Sequence, residues 1–110
     1  MSGDIHIGEL RTRLMLEAPE RAGDDGGGAA VTWTTVCELW ARVRAVSGGE
    51  SFALDRTAGT IGHEIVIRHR AGITPQMRFR SADRVFDIRA AFDPDGQRRW
   101  TRCLAEERDP

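Results

Sequence analysis

The side chains able to do chemistry in this 110-residue chain are few and scattered. His63 and His69 share a strand parity, and two imidazoles with a third ligand would hold a zinc ion. They stand six residues apart with no further ligand at close spacing, so they read as ordinary strand histidines. Asp93, Asp95 and Gly96 match a fragment of a calcium loop. The later ligands of such a loop, including its closing glutamate, are absent at the required offsets, and the segment reads as a turn. Cys37 and Cys103 are the only cysteines. With no secretory leader ahead of them they read as small buried hydrophobes rather than a structural disulfide. Gly26-Gly27-Gly28 is followed by neither a lysine nor a helix, so it is no phosphate loop. No G-x-S-x-G or H-E-x-x-H string occurs, and no nucleophile has a recognisable base partner. Nothing in the sequence argues for catalysis, a metal or a cofactor.

The more informative chemistry is arginine. All sixteen basic residues are arginine, against seventeen acidic residues and a formal net charge of −1. That balance disfavours a dedicated nucleic-acid binder, which carries a basic excess. Arginine forms planar bidentate contacts and is enriched at protein interfaces; a GC-rich genome would produce the same bias. Arg68, Arg70, Arg78, Arg80, Arg84 and Arg89 crowd one stretch, with Glu64, Asp83 and Asp87 among them. This arrangement fits a solvated face with mixed-sign cross-strand pairs, a protein interface, or a ring lumen facing DNA.

The elements that must position these groups are strands. From Ile61 to Phe92, period-two alternation recurs in three short runs. Ile61, Ile65 and Ile67 oppose Glu64 and Arg68. Met77 and Phe79 oppose Arg78 and Arg80. Phe86, Ile88 and Ala90 oppose Asp87 and Arg89. Three successive antiparallel strands predict a meander. Upstream, residues 5–10 form a short helical turn or an extended lead-in, and 11–17 a first strand that Pro19 ends. Residues 20–30 are polar and glycine-rich, which predicts a long flexible loop. Residues 31–46 form the longest strand. Trp33 and Trp40 lie on opposite parities there, so a bulge near Thr35 is required if both are to share a face. Ser47-Gly48-Gly49-Glu50 has capping-box spacing and predicts a short helix over 49–56, anchored by Phe52. Asp93-Pro94-Asp95-Gly96 is a tight turn, and 100–107 is the last strand. The termini, 1–6 and 108–110, should fray. The expected fold is therefore one all-β domain spanning 1–110: a small antiparallel β-barrel of about six strands, one short helix and a long flexible loop. No apolar run is long enough to span a membrane as a helix.

The ordered strings I-G-E-L-R, W-T-T-V, L-W-A-R-V, S-G-G-E-S-F, H-E-I-V-I-R-H-R-A-G-I-T-P-Q-M-R and R-V-F-D-I-R resemble the phage head–tail joining family of small adaptor or stopper proteins. The resemblance runs from Ile7 to about Glu107. It is most specific over 67–77 and 84–89. It implies a β-barrel component of a virion or phage-like particle, including gene transfer agents, assembled in the bacterial cytoplasm. It further implies a cyclic ring, hexamer or dodecamer, at the head–tail interface. That ring would sit between a portal or adaptor ring and a tail terminator or tail tube protein. Packaged double-stranded DNA would pass through its lumen without sequence-specific binding.

By position, Asp24, Asp25, Gly26, Gly27 and Gly28 match the family's channel-facing loop, where two carboxylates would repel DNA and ease its passage. Trp40, Arg42, Arg44, Glu50, Phe52, Arg56, Arg78 and Arg80 are the residues assigned to ring and partner contacts. The rival reading is a single-stranded nucleic-acid-binding barrel, which would need aromatics on a basic groove. An aromatic content of 6% and the slightly negative charge speak against it.

Overall fold

The computed structural model describes residues 5–23, 29–46 and 61–108. A single 3-10 turn, Ile7–Glu9, precedes six strands: β1 (Thr12–Gly23), β2 (Ala29–Ala45), β3 (Ile61–Arg68), β4 (Arg78–Ser81), β5 (Arg84–Phe92) and β6 (Trp100–Glu107). They close into an antiparallel barrel in the order β1-β2-β3-β6-β5-β4. The mainly-β barrel read from the sequence is thus the observed fold. The helix expected over 49–56 lies outside the described residues.

Alternation fills the barrel. Leu14 and Leu16 from β1, Ala41 from β2, Ile65 and Ile67 from β3, Phe79, Phe86 and Ile88 from β4 and β5, and Cys103 and Ala105 from β6 form one buried cluster. Each comes from the inward parity of its strand, which is what a small closed barrel demands of its interior. Cys103 carries no disulfide, and burial pushes its thiol pKa up to about 12. His63 is buried beside this cluster, edge-on to Phe86 at 5.0 Å between ring centres, while His69 is exposed.

Three expectations are corrected by the strand pairing. The predicted meander does not form. β3 pairs with β2 and β6, and β4 lies between β1 and β5. Residues 69–77 carry the chain from β3 to β4, and Ile73 and Met77 pack on the core as it passes. Alternation reveals that a segment is a strand, but not which strand lies beside it. Pro19 does not end β1; it sits within the strand, opposite Trp33. Among the described residues β1 pairs only with β2 beyond Glu17, and a strand edge without a described partner tolerates a residue without an N–H. The loop expected over 20–30 is in part a ladder, since Glu20↔Thr32 through Gly23↔Ala29 are paired. The β1–β2 hairpin therefore extends past the barrel as a two-stranded arm, and the molecule is 54 Å along its longest axis. Arg108 is also not frayed: its N–H donates to the Val85 carbonyl and its guanidinium grips Asp87.

The bulge expected near Thr35 is present. Leu16 pairs with Cys37 and Glu17 with Thr35, which leaves Val36 as the extra residue. A second register shift falls between Ile88 and Ala90. The turn after β5 also forms as read. The Asp93 carboxylate accepts N–H bonds from Asp95, Gly96 and Arg98, and Gly96 takes a positive φ of 72°. With three backbone donors on it, Asp93 serves the turn.

The packing gives a contrast on one strand. Leu16→Ala should cost about 3–5 kcal/mol, the range for a cavity left by a fully buried leucine. Met15→Ala, on the opposite and 40% exposed parity, should stay within about 0.5 kcal/mol of wild type. Urea unfolding of the two variants measures both values.

Candidate functional site: the arginine-bearing exterior

Two charged clusters lie on the outside of the barrel. The first spans β2, β3 and β6. Glu64 points outward from the middle of β3, yet it is only 3% exposed. Arg42 Nη2 reaches its Oε1 at 2.8 Å and Arg44 Nε the same oxygen at 3.4 Å. Arg102 Nη2 reaches Oε2 at 2.5 Å. Register explains the convergence. Arg44 is directly across from Glu64 on β2, whereas Arg42 and Arg102 lie opposite Val66 on either side and reach it diagonally. Their aliphatic stems flank Val66, which is buried although it faces outward. The 3-10 turn adds Glu9, whose Oε1 is 3.3 Å from Arg42 Nη1. Burial alone would raise the Glu64 pKa. The neighbouring charges of Arg102, Arg44 and Arg42 outweigh it and hold the carboxyl below its ordinary value. Arg42, Arg44 and Arg102 thus converge on Glu64, and Arg42 also reaches Glu9. Arg42 Nε and Arg102 Nε are buried without an acceptor among the described residues.

The second cluster spans β1, β2 and β4. Glu17 is 4% exposed. It accepts from Arg78 Nε at 2.7 Å, and Arg80 approaches at 3.8 Å. The Arg78 guanidinium lies over the Trp33 ring at 3.9 Å. Further along the same face, Arg13 lies over Trp40 at 4.8 Å. The Val36 bulge is what puts both tryptophans on the outer face. Trp33 and Trp40 differ in parity, and one extra residue between them cancels the difference. Each indole thus has an arginine over its ring, which argues against open stacking platforms for single-stranded bases.

The structure therefore brings Trp40, Arg42 and Arg44 together on β2, and Arg78 and Arg80 together on β4. These are separate clusters, with β1 between them. Glu50, Phe52 and Arg56, and Asp24 to Gly28, lie outside the described residues. Sequence reading missed the hub role of Glu64 and the participation of Arg102, Glu17 and Arg13. One pattern could have exposed Glu64: a lone acid in an isoleucine strand whose flanking strands both carry arginine on the matching parity. Four arginines of the arginine-rich stretch are spent on cross-strand pairs, Arg78 and Arg80 with Glu17 on β1 and Arg84 and Arg89 with Glu107 and Glu106 on β6, so the partners lie outside the stretch. Among the described residues no group of His, Cys, Asp and Glu is placed to hold a metal ion.

Removing Glu64 takes away the carboxylate shared by three guanidinium groups that are 27%, 47% and 38% exposed. Glu64→Ala should destabilise by about 1–3 kcal/mol, below the range for a fully buried pair because water reaches the arginines. Glu64 also has a pH signature. Its folded pKa is below the usual 4.5, so its contribution is fully present above about pH 4.5 and lost as pH falls through the folded value. Acid titration of the urea midpoint should therefore fall less steeply for Glu64→Gln than for wild type. Parallel curves would assign the acid sensitivity elsewhere.

Comparison with known proteins bears on what this exterior is for. The model of a family described as phage head completion protein matches residues 5–108. A chain of the virion of a native gene transfer agent particle is 31% identical and superposes with a TM-score of 0.71. The match covers 88% of this chain and 93% of that one. A protein from Shigella flexneri 2a, known from its solution structure, is 29% identical with a TM-score of 0.72, covering 94% of this chain and 96% of that one. Comparison with curated proteins gives no match. The family match and the gene transfer agent virion chain indicate a structural, non-enzymatic component of a phage or phage-like particle. The chain belongs to the phage head completion protein family.

Proposed function

We propose that this chain is a head–tail connector, a stopper or adaptor that forms a ring between the portal or adaptor complex of the head and the tail. The observation that carries this reading is the family match over residues 5–108, joined by a gene transfer agent virion chain of the same fold. The ring, hexameric or dodecameric, retains packaged DNA and offers the tail terminator or tail tube protein its platform. Its mechanism is assembly by surface complementarity. Closure removes the sheet edges within the barrel, so contacts fall to outward side chains and to the projecting arm.

Trp40, Arg42 and Arg44 on β2 and Arg78 and Arg80 on β4 carry ring and partner contacts, with Glu50, Phe52 and Arg56 at the adjacent ring. Two different patches on one protomer, rather than one self-complementary patch, are what a heterologous contact needs to propagate around a closed ring. Asp24 to Gly28 face the channel, where Asp24 and Asp25 repel the DNA backbone. Double-stranded DNA passes without base-specific contact.

Two experiments test the reading. Deleting the gene in a producer should give full or leaky heads beside separate tails by electron microscopy, with reduced retention of packaged DNA. Normal joined particles would overturn the connector role. Asp24→Asn combined with Asp25→Asn should slow DNA ejection, and unchanged ejection kinetics would remove the channel-facing assignment while leaving the ring intact.

A further inference from the structure

An apolar hollow opens where the N-terminal turn meets the corner of β2 and β3. Its volume is about 650 Å³, and it is lined by Ile7, Leu10, Leu39 and Trp40 with Arg11 and Arg68 at its rim. That volume is within the range of about 300–1,000 Å³ over which protein pockets enclose a compact group. Ile7 is 54% exposed and Trp40 50% exposed, although Arg13 covers part of the indole. Leaving two large apolar side chains half in water is costly for a chain with so small a core. The rim is cationic. Arg11 donates from Nε to the Gly8 carbonyl, and neither Arg11 nor Arg68 has an ion pair with a described carboxylate. Tryptophan beside arginine is also the composition that dominates interface hot spots.

We infer that this hollow receives a segment of another protein of the particle, in which a large apolar side chain stands within two residues of an aspartate or glutamate. The inference rests on the connector reading above and names one contact within it. Charge complementarity selects this occupant over a second copy of the chain. A second copy has large exposed apolar residues in Met15, Val31, Val36 and Phe92. Phe92 is followed directly by an acid, but Asp93 is already occupied by three backbone N–H groups. Arg102 lies over the Phe92 ring as well, so this knob would bring a cation to a cationic rim. Among the described residues, Glu17 and Glu38, which stand two residues from Met15 and Val36, are engaged too: Glu17 by Arg78 and Glu38 by Arg13.

The test places p-benzoylphenylalanine at position 7 in a particle producer, irradiates purified particles and sequences the cross-linked peptide. A single peptide from another particle protein, with an apolar residue within two positions of an acid, is expected. Arg11→Glu combined with Arg68→Glu should lower its yield roughly tenfold or more, as loss of two complementary charges predicts. Replacing the captured acid by lysine should restore yield in that variant. A cross-link to a second copy, to residues 47–60 of the same chain, or to a segment without an acid would overturn the inference. So would no cross-link in particles that contain the chain. Particles that lack the chain altogether would instead sink the connector reading, and this contact with it.

Discussion

Glu64 sits in the middle of β3, between Ile65 and His63, and folding takes its charge almost wholly out of water. An isolated buried carboxylate costs several kcal/mol, so the fold exists only if cations arrive from the neighbouring strands. Arg42 and Arg44 come from β2 and Arg102 from β6. The carboxylate is thus a fastener for the order β2-β3-β6, the part of the topology in which β3 passes over β4 and β5 in sequence to pair with the last strand. A shifted register would move Arg42 and Arg102 to the core face, where a guanidinium has no counter-charge. The cluster penalises wrong pairing more than it rewards the right one.

The same physics runs through the rest of the exterior. Glu17 is nearly as buried as Glu64 and is gripped by Arg78, itself pressed against Trp33. Glu106 and Glu107 are held by Arg89 and Arg84. Fully exposed pairs of this kind contribute little, about 0–1 kcal/mol each. The half-buried ones matter more, because arginine stems shield strand surfaces that a monomeric barrel of this size cannot cover with other elements. A lysine-free chain suits this design, since a guanidinium can bridge two carboxylates and lie flat on an indole at once. The result is a barrel whose exterior is laced by arginine–carboxylate pairs across neighbouring strands.

Two irregularities decide what this exterior presents. The extra residue at Val36 brings Trp33 and Trp40 to one face, and the shift between Ile88 and Ala90 turns Phe92 outward beside Arg102. Without them, alternation would carry one tryptophan toward the core and hide Phe92. Tryptophan beside arginine is the composition that dominates interface hot spots, and Trp40 is the exposed aromatic position that the connector proposal assigns to partner contacts. The hollow at Ile7 and Trp40 is the place where apolar exposure and uncommitted positive charge coincide.

Much of this was legible in sequence because period-two alternation is a local property. Each strand of the barrel, the bulge near Thr35, the Asp93 to Gly96 turn and the burial of Cys103 follow from residues close together in the chain. So does the membership of Trp40, Arg42 and Arg44 in one outward face. Strand partners were not legible, because a backbone edge carries no address and the meander was as compatible with the pattern as the true crossover. Nor was the continuation of β1 past Pro19, which depends on an edge being open there. The convergence on Glu64 of arginines from Arg42 to Arg102 was equally hidden, since it exists only once β3 lies between β2 and β6. The sequence by itself determined that this is an all-β barrel with arginine on its outside. Only the tertiary structure decided which charges meet and which apolar side chains stay uncovered, because both depend on contacts between residues far apart in the chain.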